Sequence, residues 1–384
     1  MDSTVFDRIQ QAFIAEGATA ALERLITALR EEKEYAYLFH ALLLKARHEL
    51  GLPLLSSHVE PLDEETQRKY NDAYIAAYRE VGELFLQAGD IPQAWVCFRA
   101  IGEPQKVRDA LERVEPSPDN LDTFIQIAYH EGAHPRKGFE WILQHYGECS
   151  AITYYSQYPP HAEGKQECGA MLVRHLHALL VHRVKHDIKQ IEGDAPDTDC
   201  LAELVRGRDY LFANNSYHVD PSHLSSVVQH SVELKDVEVL RLAADLTEYG
   251  KRLSSMYHYE GPPPFQNLYE DCGIYLRALS GDAVEEGIAH FRRKVEQSNP
   301  QEEGTGAAQM FVYLLTRLQR LDDAIEVSRV YLADVPEDQL FCASIPQLCQ
   351  MSHNYRRLME IAKERENPLV FTAGLLMSGE TSRG

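Results

Sequence analysis

Histidines and carboxylates are the side chains best suited to chemistry here, and three short stretches concentrate them. The first is His130-Glu131-Gly132-Ala133-His134. It matches the H-E-x-x-H pattern, which holds zinc when both imidazoles share one helical face and the carboxylate sits beside a metal-bound water. Gly132 weakens a helix at its centre, and Pro135 disfavours helical geometry at His134. The stretch is therefore expected as a turn between two helices.

The second stretch runs from Arg174 to Lys189 and reads as part of a long helix. At about 100° per residue, His175, His182 and His186 fall on one stripe. His182 and His186 have the i, i+4 spacing that lets two imidazoles share a metal. The third stretch supplies His218, Asp220 and His223 near a helix start, with His230 further along. Two histidines from each cluster, or three nitrogens with Asp220, would suit a divalent transition metal such as zinc, iron or manganese. A structural reading competes at each position. Asp220 before Pro221 is a good N-cap with proline at the first helical position, and the histidines can serve as hydrogen-bonded core or groove residues.

The same long helix carries Arg174, Arg183, Lys185 and Lys189 against Asp187 alone. In an acidic chain this is a basic ridge. Arg183 and Lys185, with Tyr217 of the third stretch, are candidate contacts for a carboxylate, a phosphate or an acidic peptide; the alternative is pairing with acidic neighbours. Tyrosines gather in Tyr154-Tyr155-Ser156-Gln157-Tyr158 and Tyr257-His258-Tyr259, followed by the stiff Gly261-Pro262-Pro263-Pro264-Phe265. Tyrosine suits a peptide-binding groove, but in helical layers it more often packs.

The elements that must position these residues are helices. Phe6, Ile9 and Phe13, then Leu22, Leu25 and Leu29, keep a helical period around Gly17. Leu38, Leu42, Ala46 and Leu50 continue it to Gly51-Leu52-Pro53, and a polar connector, Glu60-Pro61-Leu62-Asp63, leads into the next helix. Stops are expected at Ser117 to Asn120, Pro159-Pro160, Gly193 to Pro196, Asn214-Asn215, the proline run at 262–264, and Ser298 to Gly306, with a frayed tail after Met377. Alternating strand patterns are nearly absent. There is no P-loop, no strand-borne GxGxxG, no GxSxG elbow and no CxxC knuckle.

Composition narrows the classes. The chain has 384 residues, more than one compact core usually supports. A formal net charge of -21 repels phosphate backbones, so general nucleic-acid binding is not expected. The seven cysteines are scattered and odd in number, which favours reduced thiols over a disulfide framework. The first residues lack a basic, then apolar leader pattern, and no apolar run reaches membrane-spanning length. A cytoplasmic protein with no membrane span is expected.

Within this pattern one unit stands out: Tyr78-x2-Val81-Gly82-x2-Phe85, a turn at Gly89-Asp90, then Ala94-x3-Phe98-x2-Ile101. It resembles the tetratricopeptide repeat family, whose helix pairs place a bulky-x2-Leu-Gly-x2-Tyr box before Ala-x3-Phe. Weaker echoes keep the spacing: Ala12 with Ala21, Tyr129 with Gly138, Ala278 with Gly287, and Leu315 with Ala324. Gln126 and Tyr275 replace the small residue that Gly82 supplies, and Ser328 replaces an aromatic. The resemblance implies an all-α, TPR-like α-solenoid of antiparallel helix pairs with a binding groove on its concave face. The expected organisation is N-terminal repeats over 1–160, a divergent helical centre over 161–260 and C-terminal repeats over 261–384. The function that follows is a scaffold or adaptor binding a peptide or protein partner. The alternative is a metal-binding protein or metalloenzyme with its site between the central helices.

Overall fold

A computed structural model of the chain describes residues 3–55 and 62–381. It is all-helical, with no strand among the described residues. Contacts divide it into two compact units: residues 1–147 with 161–164, and residues 148–160 with 165–384.

The first unit is built from α1 (Ser3–Glu16), α2 (Ala18–Glu31), α3 (Tyr35–Glu49), α4 (Glu64–Gln87), α5 (Ile91–Ala100), α6 (Gln105–Leu111), α7 (Leu121–Ile125) and the first part of α8 (Pro135–Gln157). Chain neighbours pack on one another, α1 on α2 through to α4 on α5. Local chemistry sets the hairpins. Asp63 starts α4 by accepting from the backbone N–H groups of Glu65 and Thr66 at 3.1 and 3.0 Å. Gly89, at φ 79°, ends that helix, and Asp90 then caps α5 through Gln93 N–H. Ile26, Leu29, Leu38, Ala41, Val81 and Cys97 form a buried cluster where α2 to α5 meet, and each large apolar side chain removed from water contributes about 2 kcal/mol. Gly147, at φ 77°, breaks α8 at the boundary between the units.

The second unit holds the rest of α8, then α9 (Lys165–Glu192), α10 (Leu201–Val205), α11 (Pro221–Ser231), α12 (Val237–Gly250), α13 (Leu268–Leu279), α14 (Val284–Gln297), α15 (Pro300–Glu303), α16 (Gly306–Arg317), α17 (Leu321–Tyr331), α18 (Ile345–Met351), α19 (Tyr355–Glu364) and α20 (Pro368–Thr381). Long α9 packs against α10, α11 and α12; from α12 onward each main helix again packs on its chain neighbour. Tyr275, Phe291 and Phe265 pack edge to face at the centre, with ring centroids 5.4 to 5.8 Å apart. Arg317 of α16 donates to the carbonyls of Val232 and Leu234, which lie just past the end of α11. It thereby satisfies acceptors that a helix terminus leaves open.

Several boundaries differ from the sequence expectation. The sequence predicts a helix near Cys200 to Phe212; the stretch is one short helix and a 3-10 turn, because Gly207, at φ 71°, interrupts it. Ser298 to Gly306 contains a helical turn, α15, started by Asn299 and Pro300. The tail beyond Met377 continues helical to Thr381. Glu60 and Pro61 of the polar connector lie outside the described residues, as do Met1, Asp2 and the last three residues.

Candidate functional site

The histidine-rich α9 does not present its histidines to one point. Its buried face is Val173, Leu176, His177, Leu180, Val181, Val184 and Ile188, so His182 and His186 stand exposed on the other side. His175, on the same stripe, meets Glu148 at 3.0 Å. That hydrogen bond, with a smaller contribution from the charge of His223, holds the Glu148 carboxyl below its ordinary range. His223 is half-buried, and Asp220 caps α11, accepting from Ser222 N–H at 2.8 Å and its hydroxyl at 2.6 Å.

His218 is brought to α9, but as a core residue. Its Nδ1 accepts from the Tyr249 hydroxyl at 2.8 Å, and its backbone N–H donates to the same oxygen at 2.9 Å. Its Nε2 lies 3.3 Å from an Asp187 oxygen, too poorly aligned for a hydrogen bond. Burial pushes the His218 pKa down and outweighs the pull of Asp187. His182, His186, His218, Asp220 and His223 therefore do not converge. Among the described residues no group of three His, Cys, Asp or Glu is placed to hold a metal ion.

The basic ridge is largely committed inside the protein. Arg183 donates to the His218 carbonyl at 2.7 Å, Lys185 pairs with Asp199 at 2.6 Å and Arg174 with Asp236 at 3.4 Å. Tyr217 is exposed, with its ring edge-on to Tyr257 at 5.3 Å.

A buried polar pair of α9 involves a histidine that the sequence pattern did not single out. His177 meets Asp245 of α12 at 2.9 Å. Asp245 also accepts from the backbone N–H groups of Leu201 and Ala202 at 2.7 and 3.0 Å, tying down the start of α10. Burial alone would raise the Asp245 pKa; the bonds from His177, Ala202 and Leu201 outweigh it and hold the carboxyl below its usual range. The available signal was position, since His177 falls on the apolar stripe of α9 between Val173 and Val181.

Two further arrangements look catalytic by residue type but are not built for it. Glu131 is taken up by Trp95 Nε1 at 2.7 Å and Arg99 at 2.8 Å, and His134 by Glu112 at 2.8 Å. Residues 126–130 form a π-helical turn, and Gly132 at φ 78° reverses the chain, so the H-E-x-x-H residues share no helical face. Ser156 Oγ lies 3.0 Å from His230 Nε2, yet the hydroxyl donates to the Ile152 carbonyl at 2.8 Å. Its proton is thus turned away from the imidazole, and no base activates it.

The second unit offers two neighbouring depressions instead. A polar cleft of about 500 Å³ is lined by Lys251, His258, Tyr259, Glu260, Tyr269 and Glu270, among others. An apolar pocket of about 330 Å³ is lined by Val232, Pro262, Pro263, Phe265, Met310 and Phe341, among others. Both are in the size range of ligand sites, and Leu268 belongs to both walls. The sequence drew attention to Tyr257-His258-Tyr259 and to the proline run, but Lys251, just past the end of α12, and Tyr269 and Glu270 of α13 carry no motif. In the first unit a third, largely apolar groove of about 540 Å³ is lined by Leu25, Leu44, Leu54, Leu55, Arg47 and Tyr70, among others.

No family model matches the chain, and no curated protein matches it. Among the described residues no helix is long and apolar enough to cross a membrane.

Proposed function

We propose that the chain is a TPR-like helical-repeat interaction protein, a cytoplasmic scaffold or adaptor that binds a peptide or protein partner. One recurrent contact carries this reading. In two of the proposed pairs a glycine of the second helix abuts the residue nine positions earlier in the chain. A Cβ on Gly138 would lie 2.7 Å from the Tyr129 backbone nitrogen, and one on Gly287 would lie 2.5 Å from the Ala278 Cβ. Ala94 and Ala324, at the same place in their pairs, are wholly buried. Repetition of one close approach is what stacked helix pairs need, and such stacks expose grooves rather than deep catalytic cavities. The apolar pocket beside the proline run supplies an anchor point, with Phe341 58% exposed at its rim.

Selection from a displayed random-peptide library on the purified chain tests the reading. Enriched peptides should share one bulky apolar residue, and Met310→Glu should abolish their binding without moving the melting temperature. Absence of enrichment, or binding indifferent to Met310→Glu, would overturn it.

A further inference from the structure

Helix α20 has no charged face. From Pro368 to Gly379 it carries no acidic or basic residue. It packs chiefly on α19, where Gly374 is buried so closely that a Cβ would lie 3.0 Å from Met359 Cγ. The side turned away from α19 presents Leu369, Leu375 and Leu376, which are 79%, 53% and 66% exposed, with Thr372 and Ala373 exposed between them. A helix apolar on both sides is ordinarily covered on both. At 14 residues this one is too short to span a bilayer, and without a charged face it is not built to lie on one.

Spacing and charge select what covers it. At about 100° per residue, Leu369, Thr372 and Leu376 fall on one stripe. Leu369 and Leu376 lie equally far along the helix from the Thr372–Ala373 peptide bond. A two-fold axis at that bond, relating two antiparallel helices, sets Leu369 of each copy against Leu376 of the other. The smaller Thr372 at the crossing lets the backbones approach. Charge points the same way. With a net charge of -21, two copies repel across most of their surfaces, and α20 brings no charge to the contact. The three leucines offer about two whole leucine side chains of apolar surface per copy. One helix face buries less than the about 800 Å² per partner of a standard interface, so the association is reversible.

We infer that α20 pairs with α20 of a second copy of this chain, antiparallel about a two-fold axis at Thr372–Ala373, to form a reversible homodimer. The inference is independent of the peptide-binding reading, which concerns a different part of the second unit.

Sedimentation equilibrium of the full chain from about 1 to 300 µM tests it, with an expected dissociation constant of about 10 to 100 µM. Leu376→Lys should weaken association at least about tenfold with the melting temperature unchanged. That substitution makes the chain less negative, so added repulsion does not account for the loss. Thr372→Cys, which faces its own copy across the axis, should form a disulfide-linked dimer on mild oxidation, above the background that exposed Cys149 gives in the unchanged chain. A chain monomeric over the whole range would overturn the inference and leave α20 to a different partner. Association indifferent to Leu376→Lys, or Thr372→Cys linking no more than the unchanged chain, would overturn it by placing the contact elsewhere.

Discussion

The hairpin of α4 and α5 and the seam of α9 with α12 are both well packed, but different physics holds them. In the hairpin, Gly82 lets the Phe98 ring approach so closely that a Cβ would lie 2.8 Å from it. The contact is apolar, local in the chain and set by residue size. At the α9 seam the central contact is His177 with Asp245, 68 residues apart, closed by two backbone N–H groups of α10. That contact is polar and non-local, and it is set by hydrogen-bond geometry. Shape complementarity of small and large residues gives a graded response to change; a buried, fully satisfied carboxylate gives an abrupt one.

Asp245→Ala should be the most damaging single change, costing about 4 kcal/mol, because it strands a buried imidazole and two N–H donors. Chemical denaturation with the variant and wild type side by side measures it. A cost below about 1 kcal/mol would mean the seam is held by apolar contacts alone, like the hairpin. The same carboxyl predicts an acid limit. Its folded pKa is below the unfolded value, so its stabilisation is present above the ordinary carboxylate range and is lost as pH falls through the folded value.

His230 titrates in a separate, higher window. Burial, and then the charge of Lys165, pushes its pKa down to about 4. Since the folded value is depressed, stability is full above about pH 6.5 and falls as pH drops toward 4, by about 2 to 3 kcal/mol in all. His230→Gln keeps a polar partner for Ser156 and should flatten the stability profile over that window. A profile unchanged by the substitution would show that the imidazole is not desolvated by its packing on Tyr155.

Gly82→Ala probes the other side of the comparison. Alanine is worth up to about 1 kcal/mol more than glycine in a helix interior, but the Phe98 ring is wholly buried and has no room to yield. A net loss of about 1 to 2 kcal/mol is expected. A gain in stability would mean the close approach of α4 and α5 is not required.

The same division explains what the sequence made legible. The period of Leu38, Leu42 and Ala46, the turn at Gly89-Asp90 and the cap at Asp220 are local signals, and the helices they mark are present. The turn at Gly132 was readable for the same reason, since glycine before an x-Pro bond decides backbone geometry within a few residues. The candidate metal residues were not decidable that way. The stripe of His175, His182 and His186 is real, but which face of α9 is buried depends on α10, α11 and α12. Those helices cover the His177 side and leave His182 in solvent. Tyr269 and Glu270 were equally invisible, since only the fold brings the start of α13 beside Lys251 at the end of α12.

The smallest expected effects belong to the histidines that looked most chemical. His182→Ala changes an exposed mid-helix residue to the strongest helix former, so stability should move by less than about 0.5 kcal/mol, and upward if at all. His223→Ala removes a half-buried ring beside Glu148 and should cost somewhat more, still within about 1 kcal/mol. A metal bridging these residues would couple them: either substitution would then release the ion and lower the melting temperature together with metal content. Elemental mass spectrometry and thermal denaturation of both variants, made without a histidine tag, separate the cases. Independent small shifts with unchanged metal content are expected from residues that face different surroundings. Joint loss of a stoichiometric metal would show that the exposed face of α9 and the start of α11 close on one another, and the contrast between hairpin and seam would need a third, metal-held region.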